Sequence, residues 1–551
     1  VVALNVTTGP GGINALNGVY GAFTDSLSML VVSGQVKNET YHKNYKTSLR
    51  QLGDQEVDIV SMAKPITKFA VTLKDPREIK EIMDKAIYLL TNGRPGPVWI
   101  DVPIDVQGAL IDPNKLKGFD GDIKKLVNDP GVTNNTKLEL STKSNLNDKT
   151  LDIIFEKLKK SRRPVILAGT GVSISKMSKQ FLKLIKKLKI PTVTGWNAHD
   201  LISNDNKYYS GKPGTVGDRP GNFTVQNSDL LIILGCRLNI RQISYNWKEF
   251  APKAFKIMVD IDQAELDKPT LKIDHKIKAD LKTFIPLFIQ KIQDLSYTSS
   301  KDHKKYLMWC KERVIEYPVM LPEYINTKNK KINPYAFTDE LFNLLDKDDV
   351  VITGNGSACV ITFQAAKIKQ GQRLYTNSGS ASMGYDLPAS IGAAIAMNGK
   401  RIICLAGDGS LMMNLQELQT MQGYNLPIKV FILNNEGYVS IKQTQEAYFS
   451  DNISGVGPKS GVTMPNFIEL GKALNIPNIK VTKLSQLSST HFLKMLNDNK
   501  SGIFEIIIDP NQGFSPKLTS RKLDDGSMVS PSLNDMSPFL DKDELAKNIL
   551  S

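Results

Sequence analysis

Between Arg401 and Gly437 the chain reads RIICLAGDGSLMMNLQELQTMQGYNLPIKVFILNNEG, and this stretch leaves few folds open. An apolar run, 401–406, stops abruptly at Gly407-Asp408-Gly409-Ser410. Leu411, Leu415, Leu418 and Met421 then recur at helical spacing. Pro427 ends that pattern, and a second apolar run, 428–433, stops at Asn434-Asn435. Strand, helix and strand in this order form a right-handed crossover, so both strands point the same way. Their carboxyl ends lie side by side, about 5 Å apart when the strands are neighbours. The 24 residues between GDG and NN are taken up by the helix and second strand, and Asp408 and Asn435 are expected to converge.

Such a spot suits a hard cation. A carboxylate, a side-chain amide oxygen and a nearby backbone carbonyl supply three oxygens, leaving the remaining positions to water and phosphate. Gly407 and Gly409 let the backbone approach a bulky anion, and a helix beginning near Leu411 adds its positive end. Either motif alone is an ordinary chain reversal. Together, at this spacing, they resemble the GDG…NN signature of thiamine diphosphate enzymes.

The 551 residues leave room for about three domains. No apolar run is long enough to span a bilayer, and Val1 does not open a signal peptide. The four cysteines, Cys236, Cys310, Cys359 and Cys404, show no metal-ligand spacing and fit a reducing, cytoplasmic setting. The formal charge of +14 is spread over solvated faces, as at Lys157, Lys159 and Lys160 or Lys183, Lys186, Lys187 and Lys189. No aromatic-interleaved basic patch accompanies it, which argues against a nucleic-acid partner. The five histidines are isolated, and no Ser-His-Asp set, zinc cluster or GxxxxGK[ST] loop competes for the assignment.

Strands alternate with helices along the chain, which predicts an α/β protein of three Rossmann- or flavodoxin-like domains with parallel sheets. Residues 1–107 open within a strand that runs into Thr7-Thr8-Gly9-Pro10-Gly11-Gly12. Residues 108–150 and 296–332 read as polar linkers, with WCKERVIEY inside the second compatible with a helix. Residues 151–295 form a central α/β domain, residues 333–513 a third, and 514–551 a carboxyl-terminal arm. The segments TTGPGGINALNGVYGAFTDSLSMLVVSGQ and GRPGPVWIDVPIDVQ resemble the pyrimidine-binding domain of the acetohydroxyacid (acetolactate) synthase group. In that group an upstream segment carries the glutamate that activates the cofactor. Here it has no counterpart, so the first domain is expected to be amino-terminally incomplete.

The resemblance implies a set of roles. Asp408, Asn435 and the Gly437 carbonyl would hold Mg²⁺. Gly407, Gly409, Ser410 and the turn Asn355-Gly356-Ser357 would contact the diphosphate of thiamine diphosphate, with Ser380 nearby. Met383, in the MGYDLP segment, would be the apolar wedge that bends the cofactor, rather than a gap-filling core residue. Pro10, Gly11 and Asn14 would meet the pyrimidine ring, and Gln55 would act as the catalytic residue over the substrate. In acetohydroxyacid synthases a phenylalanine precedes that glutamine; here Asp54 stands there, which suits a polar neighbour better than the methyl of pyruvate. Ser357-Ala358 likewise replaces an expected Gln-His pair. These departures point to an acceptor outside the amino-acid pathway, such as a sugar derivative. The central domain of the group binds FAD in some members, and Gly211, Gly214, Gly217 and Asn222 fall near the matching glycines; GCRLNIRQISYN departs from the flavin pattern, and FAD stays open.

The expected activity is decarboxylation of a pyruvate-like 2-oxo acid with transfer of the acyl unit to a second carbonyl. Alternatives are a simple decarboxylase or C–C hydrolase using the same cofactor, and a non-catalytic scaffold. The family builds its site between chains, which implies a homodimer or homotetramer.

Overall fold

The computed structural model describes residues 1–46, 48–325, 331–449, 452–522 and 525–550. Three parallel sheets organise it. The first holds β1 (Val2–Val6), β2 (Met29–Gln35), β3 (Phe69–Thr72) and β4 (Val98–Pro103) in the order β1-β2-β4-β3. The second holds β5 (Pro164–Ala168), β6 (Thr192–Thr194), β7 (Leu230–Leu234), β8 (Phe255–Asp260) and β9 (His275–Lys278), ordered β6-β5-β7-β8-β9. The third holds β10 (Val350–Thr353), β11 (Arg373–Tyr375), β12 (Ile402–Gly407), β13 (Ile428–Asn434), β14 (Asn478–Val481) and β15 (Gly502–Ile507), ordered β11-β10-β12-β13-β15-β14. Strands such as LLIIL of β7 are buried along their whole length, as unbroken apolar runs must be when helices cover both faces.

The strand orders fix where ligands can enter. In the second sheet the chain passes from β5 to β6 on one side and then to β7 on the other. In the third it passes from β10 to β11 and then to β12 across the sheet. Each reversal is a topological switch point, where a crevice opens outside the carboxyl ends of the strands.

Three local expectations change. The helix expected from about Leu411 starts at Asp408 and comes in pieces: Asp408–Leu411, a 3₁₀ turn Met412–Asn414, and Glu417–Gly423. Leu411, Leu418 and Met421 are nonetheless buried together. Within 108–150, the helices Ile123–Asn128 and Asn134–Ser141 cover the first sheet, and Leu126 and Val132 join the core of Phe69, Ile82 and Leu89. Within 296–332, the helix Lys301–Glu316 buries Tyr306 and Cys310 against the second sheet. Among the described residues no helix is long and apolar enough to cross a membrane.

The second and third domains are joined by a buried charge. Lys212 Nζ donates to the carbonyls of Phe363 (3.0 Å), Gln364 (3.2 Å) and Ala366 (2.9 Å). These lie at the carboxyl end of the helix Ser357–Ala365, where a cation complements the helix dipole. Burial lowers the Lys212 amine to about 8, against the raising pull of Asp218. Its folded value therefore lies below its unfolded one, and the folded state binds fewer protons between the two. Stability at this group should rise with pH from about 8 to about 10, by at most about 1.4 kcal/mol per pH unit. Urea midpoints of the native chain and of Lys212→Met at pH 7.5, 9 and 10 check this: the gap between them should shift in favour of the native chain as pH rises. A gap independent of pH would contradict it.

Candidate active site

β12 and β13 are neighbours, with Gly407 paired to Leu433, so the segments that leave them start side by side. Asp408 opens a helix and Asn435 follows the last strand residue. Asp408 is 1% exposed. Its Oδ1 accepts the Gly409 N–H at 2.8 Å and its Oδ2 accepts the Gly437 N–H at 3.0 Å. Burial pushes the carboxyl up to about 6, although N–H donors from Gly409, Gly437, Glu436 and Asn435 pull it down. Gly437 adopts φ +139°, and a Cβ there would sit 2.2 Å from the Val456 carbonyl; only glycine fits that turn.

The side-chain Oδ1 of Asn435 is buried and has no hydrogen-bond partner among the described residues. A buried amide oxygen without a donor is costly, and this one stands beside a buried carboxylate. A divalent cation would satisfy both, so the donor set fits the hard-cation expectation. Among the described residues no group of three or more His, Cys, Asp or Glu competes for that role.

A cavity of about 580 Å³ opens here, at the switch point of the third sheet. Ten of the residues singled out from the sequence line it: Asn355, Gly356, Ser357, Met383, Gly407, Asp408, Gly409, Ser410, Asn435 and Gly437. Asn355 Nδ2 donates to the Ala381 carbonyl, tying the turn after β10 to the Met383 loop. Ser410 lies in the cavity wall, but its hydroxyl donates to Asp386 at 2.7 Å and accepts the Gly384 N–H at 2.9 Å. In this structure the Ser410 proton is committed to Asp386, which leaves its main-chain N–H as the group for a diphosphate.

Five residues lie elsewhere. Ser380 pairs with Ser382, which donates to Asn17 of the first domain at 2.9 Å, and it does not line the cavity. Pro10, Asn14 and Gln55 are exposed on the first domain, with Gly11 beside them. There the Gln55 carbonyl packs directly on Gly9. The loop that carries Gln55 is organised by Glu56, whose carboxylate accepts the N–H groups of His42, Leu52 and Gly53.

Sequence reasoning missed Arg241. It sits in the short helix Ile240–Ile243 after β7 and faces the cavity with Thr215 and Val216. Its exposed guanidinium lies 5.5 Å over the Trp196 ring and enters none of the described ion pairs. An arginine beside a cavity without an acidic partner is suited to an incoming carboxylate. The only sequence cue was a basic residue just past a buried strand, which is weak. Phe514, Leu518, Ser520 and Ser530 bring the carboxyl-terminal arm to the same wall.

A second cavity, of about 360 Å³, occupies the other switch point, between the first and central domains. It is lined by Gly169-Thr170-Gly171 after β5, Gly235–Leu238 after β7, and Asp260 at the end of β8. Burial pushes the Asp260 carboxyl up to about 6. Arg94 closes one side through Asp262 (2.8 Å) and Glu265 (3.0 Å). The glycine loop 211–222 is not part of this cavity. Asp218 Oδ1 accepts the N–H groups of Lys212 and Gly221, and Asn222 Oδ1 accepts that of Gly214. The loop thus closes on itself, and its tip faces the first cavity instead.

Comparison with known proteins matches each of the three domains to one family. Residues 354–504 match the family described as thiamine pyrophosphate enzyme, C-terminal TPP binding domain. Residues 151–288 match its central domain, and residues 1–62 its N-terminal TPP binding domain. The acetolactate synthase large subunit of Cyanidium caldarium is 32% identical over 488 residues, covering 88% of this chain and 78% of the relative. A probable acetolactate synthase large subunit of Methanocaldococcus jannaschii is 29% identical over 92% of this chain and 80% of its own length. The large subunit from Lactococcus lactis is 29% identical over 93% and 82%.

Proposed function

This chain belongs to the thiamine pyrophosphate enzyme family, among relatives of the acetolactate synthase large subunit, and from that premise we propose how its residues serve the reaction. The chain is a thiamine diphosphate-dependent carboligase that decarboxylates a 2-oxo acid and joins the acyl unit to a second carbonyl compound. The observation that carries the site assignment is the buried, unpartnered Asn435 Oδ1 beside Asp408 in a cavity at a switch point.

Asp408, Asn435 and the Gly437 carbonyl hold Mg²⁺, and the turns at 355–357 and 407–410 take the diphosphate through main-chain N–H groups. Met383 is the apolar wedge. When bound, the cofactor supplies the carbon nucleophile and the electron sink that no side chain can provide. The protein's own work is to orient and to exclude water. Arg241 takes the carboxylate of the 2-oxo acid, while the arm at Phe514 and Leu518 shields the cavity. Pro10, Gly11, Asn14 and Gln55 serve the site of a second copy. Pro10, Asn14 and Gln55 are exposed, and none of the four lines the cavity of its own chain, which supports a homodimer or homotetramer. Asp54, exposed beside Gln55, favours a polar acceptor, such as a sugar derivative. The second cavity is the place for FAD: two glycine turns and a carboxylate at strand ends suit a dinucleotide.

The test is product analysis. The chain is supplied with thiamine diphosphate, Mg²⁺ and FAD, freed of unbound ligand, and fed pyruvate with and without aldehyde or ketone acceptors. CO₂ release coupled to a joined product, with FAD retained, is expected. CO₂ with no joined product would leave a simple decarboxylase, and loss of FAD on gel filtration would remove the flavin from this reading.

A further inference from the structure

Asp386 has no part in the chemistry above, yet it lies behind the cavity wall. It is completely buried, three residues after Met383, at the start of the helix Asp386–Ala396. Its Oδ1 accepts the Leu387 N–H at 3.0 Å and its Oδ2 accepts the Ser410 hydroxyl at 2.7 Å. No cation pairs with it among the described ion pairs. A carboxylate buried on these terms is expensive, and an apolar residue of similar size would serve a plain core better.

What the carboxylate does is orient Ser410. A hydroxyl has one proton, and here it goes to Asp386, which turns the oxygen lone pairs toward the Gly384 N–H at 2.9 Å. The Gly384 carbonyl is held from its other side by Asn414 Nδ2 at 2.8 Å. Gly384 itself adopts φ +79°, a region glycine enters as readily as negative φ, so the hydrogen bonds on its two sides are what hold this one conformation. Gly384, directly after Met383, is therefore pinned through both its N–H and its carbonyl to the helical segment that follows β12.

We propose that Asp386 and Ser410 form a positioning relay that fixes the Met383–Gly384 peptide, and so sets the reach of the Met383 side chain into the cofactor cavity. The relay rests on the reading of that cavity as the thiamine diphosphate site, but its hydrogen bonds exist without any ligand. Burial holds the Asp386 carboxyl at about 6, so near pH 7.5 it is ionised and acts only as an acceptor.

Amide hydrogen exchange of the cofactor-free chain, followed over residues 380–388, reads the relay directly. Ser410→Ala and Asp386→Leu should each speed exchange at Gly384 by about tenfold, the loss of roughly one hydrogen bond. The double variant should be no faster than either single one, because both break the same chain of bonds. Asp386→Asn, which keeps an acceptor for Ser410, should restore slow exchange, and it remains informative should Asp386→Leu fail to fold. With thiamine diphosphate and Mg²⁺ added, the circular-dichroism band of the bound cofactor should weaken in the two single variants and recover in Asp386→Asn. Unchanged exchange at Gly384, or multiplicative effects in the double variant, would overturn the relay. Exchange that behaves as stated, in a wild-type chain that binds no cofactor, would instead overturn the reading of the cavity.

Discussion

Asp408→Ala should abolish binding of thiamine diphosphate with Mg²⁺, raising the dissociation constant by about a thousandfold or more. Removing one partner from a buried charged contact costs about 3–5 kcal/mol, and about 1.4 kcal/mol is a factor of ten. Two effects add here. The cation loses its one carboxylate, and the Gly409 and Gly437 N–H groups, now bound to that carboxylate at 2.8 and 3.0 Å, lose their acceptor. Calorimetric titration of wild type and variant measures both. Asp408→Asn separates them, since the amide keeps an acceptor but not the charge, and it should bind weakly rather than not at all. Asn435→Ala should fall between wild type and Asp408→Ala. A folded wild-type chain that binds no cofactor would sink the site assignment, and equal binding by Asp408→Ala would move the anchor elsewhere.

Arg241→Ala should cut kcat/KM for the 2-oxo acid by about a hundredfold, through KM more than kcat. A charge-assisted, bidentate contact to a carboxylate is worth about 2–3 kcal/mol when one partner is removed. Arg241 stacks over Trp196 and makes no described ion pair, so its truncation leaves no orphaned carboxylate, and the fold should persist. Arg241→Lys should recover only part of the loss, because a point charge cannot reproduce the planar fork. Steady-state kinetics with the acid, and competitive inhibition by its uncharged amide, which has no CO₂ to release and so does not turn over, test the assignment: the inhibition constant of the amide should be nearly indifferent to the substitution. An equal loss for acid and amide would assign Arg241 to the fold or the cofactor rather than to the substrate.

What the sequence made legible follows from how local its determinants are. The crossover at 401–437 could be read because two apolar runs, a helical pattern and two sharp stops are local signals, and crossover handedness then places Asp408 beside Asn435. The helix between them could not be read in detail. The 3₁₀ turn at Met412–Asn414 has no sequence mark; it accompanies Asn414 reaching across to Gly384, a tertiary contact. β9 was invisible for a similar reason: HKIK has no apolar run and is a strand because it adds to β8. The segment 108–150 looked like linker because its helices bury few residues each, and Leu126 and Val132 count only once Phe69 is known to lie opposite. The glycine loop 211–222 closes on its own Asp218 and Asn222, and composition alone does not tell that use of glycine from a cofactor-contacting one. Arg241, Asp386 and the committed hydroxyl of Ser410 share one property: each is defined by what stands across the cavity wall, from another part of the chain.

Lys212 bears on how this protein can be taken apart. Its ammonium belongs to the central domain, and all three of its acceptors belong to the third. Cutting the chain between these domains would leave a charge with no carbonyls on one piece and a bare helix end on the other. The seam is therefore a shared interior. Neither piece should express as a tractable fragment, and exchanging one of them for a homologous domain would require carrying the 211–222 loop along with its host.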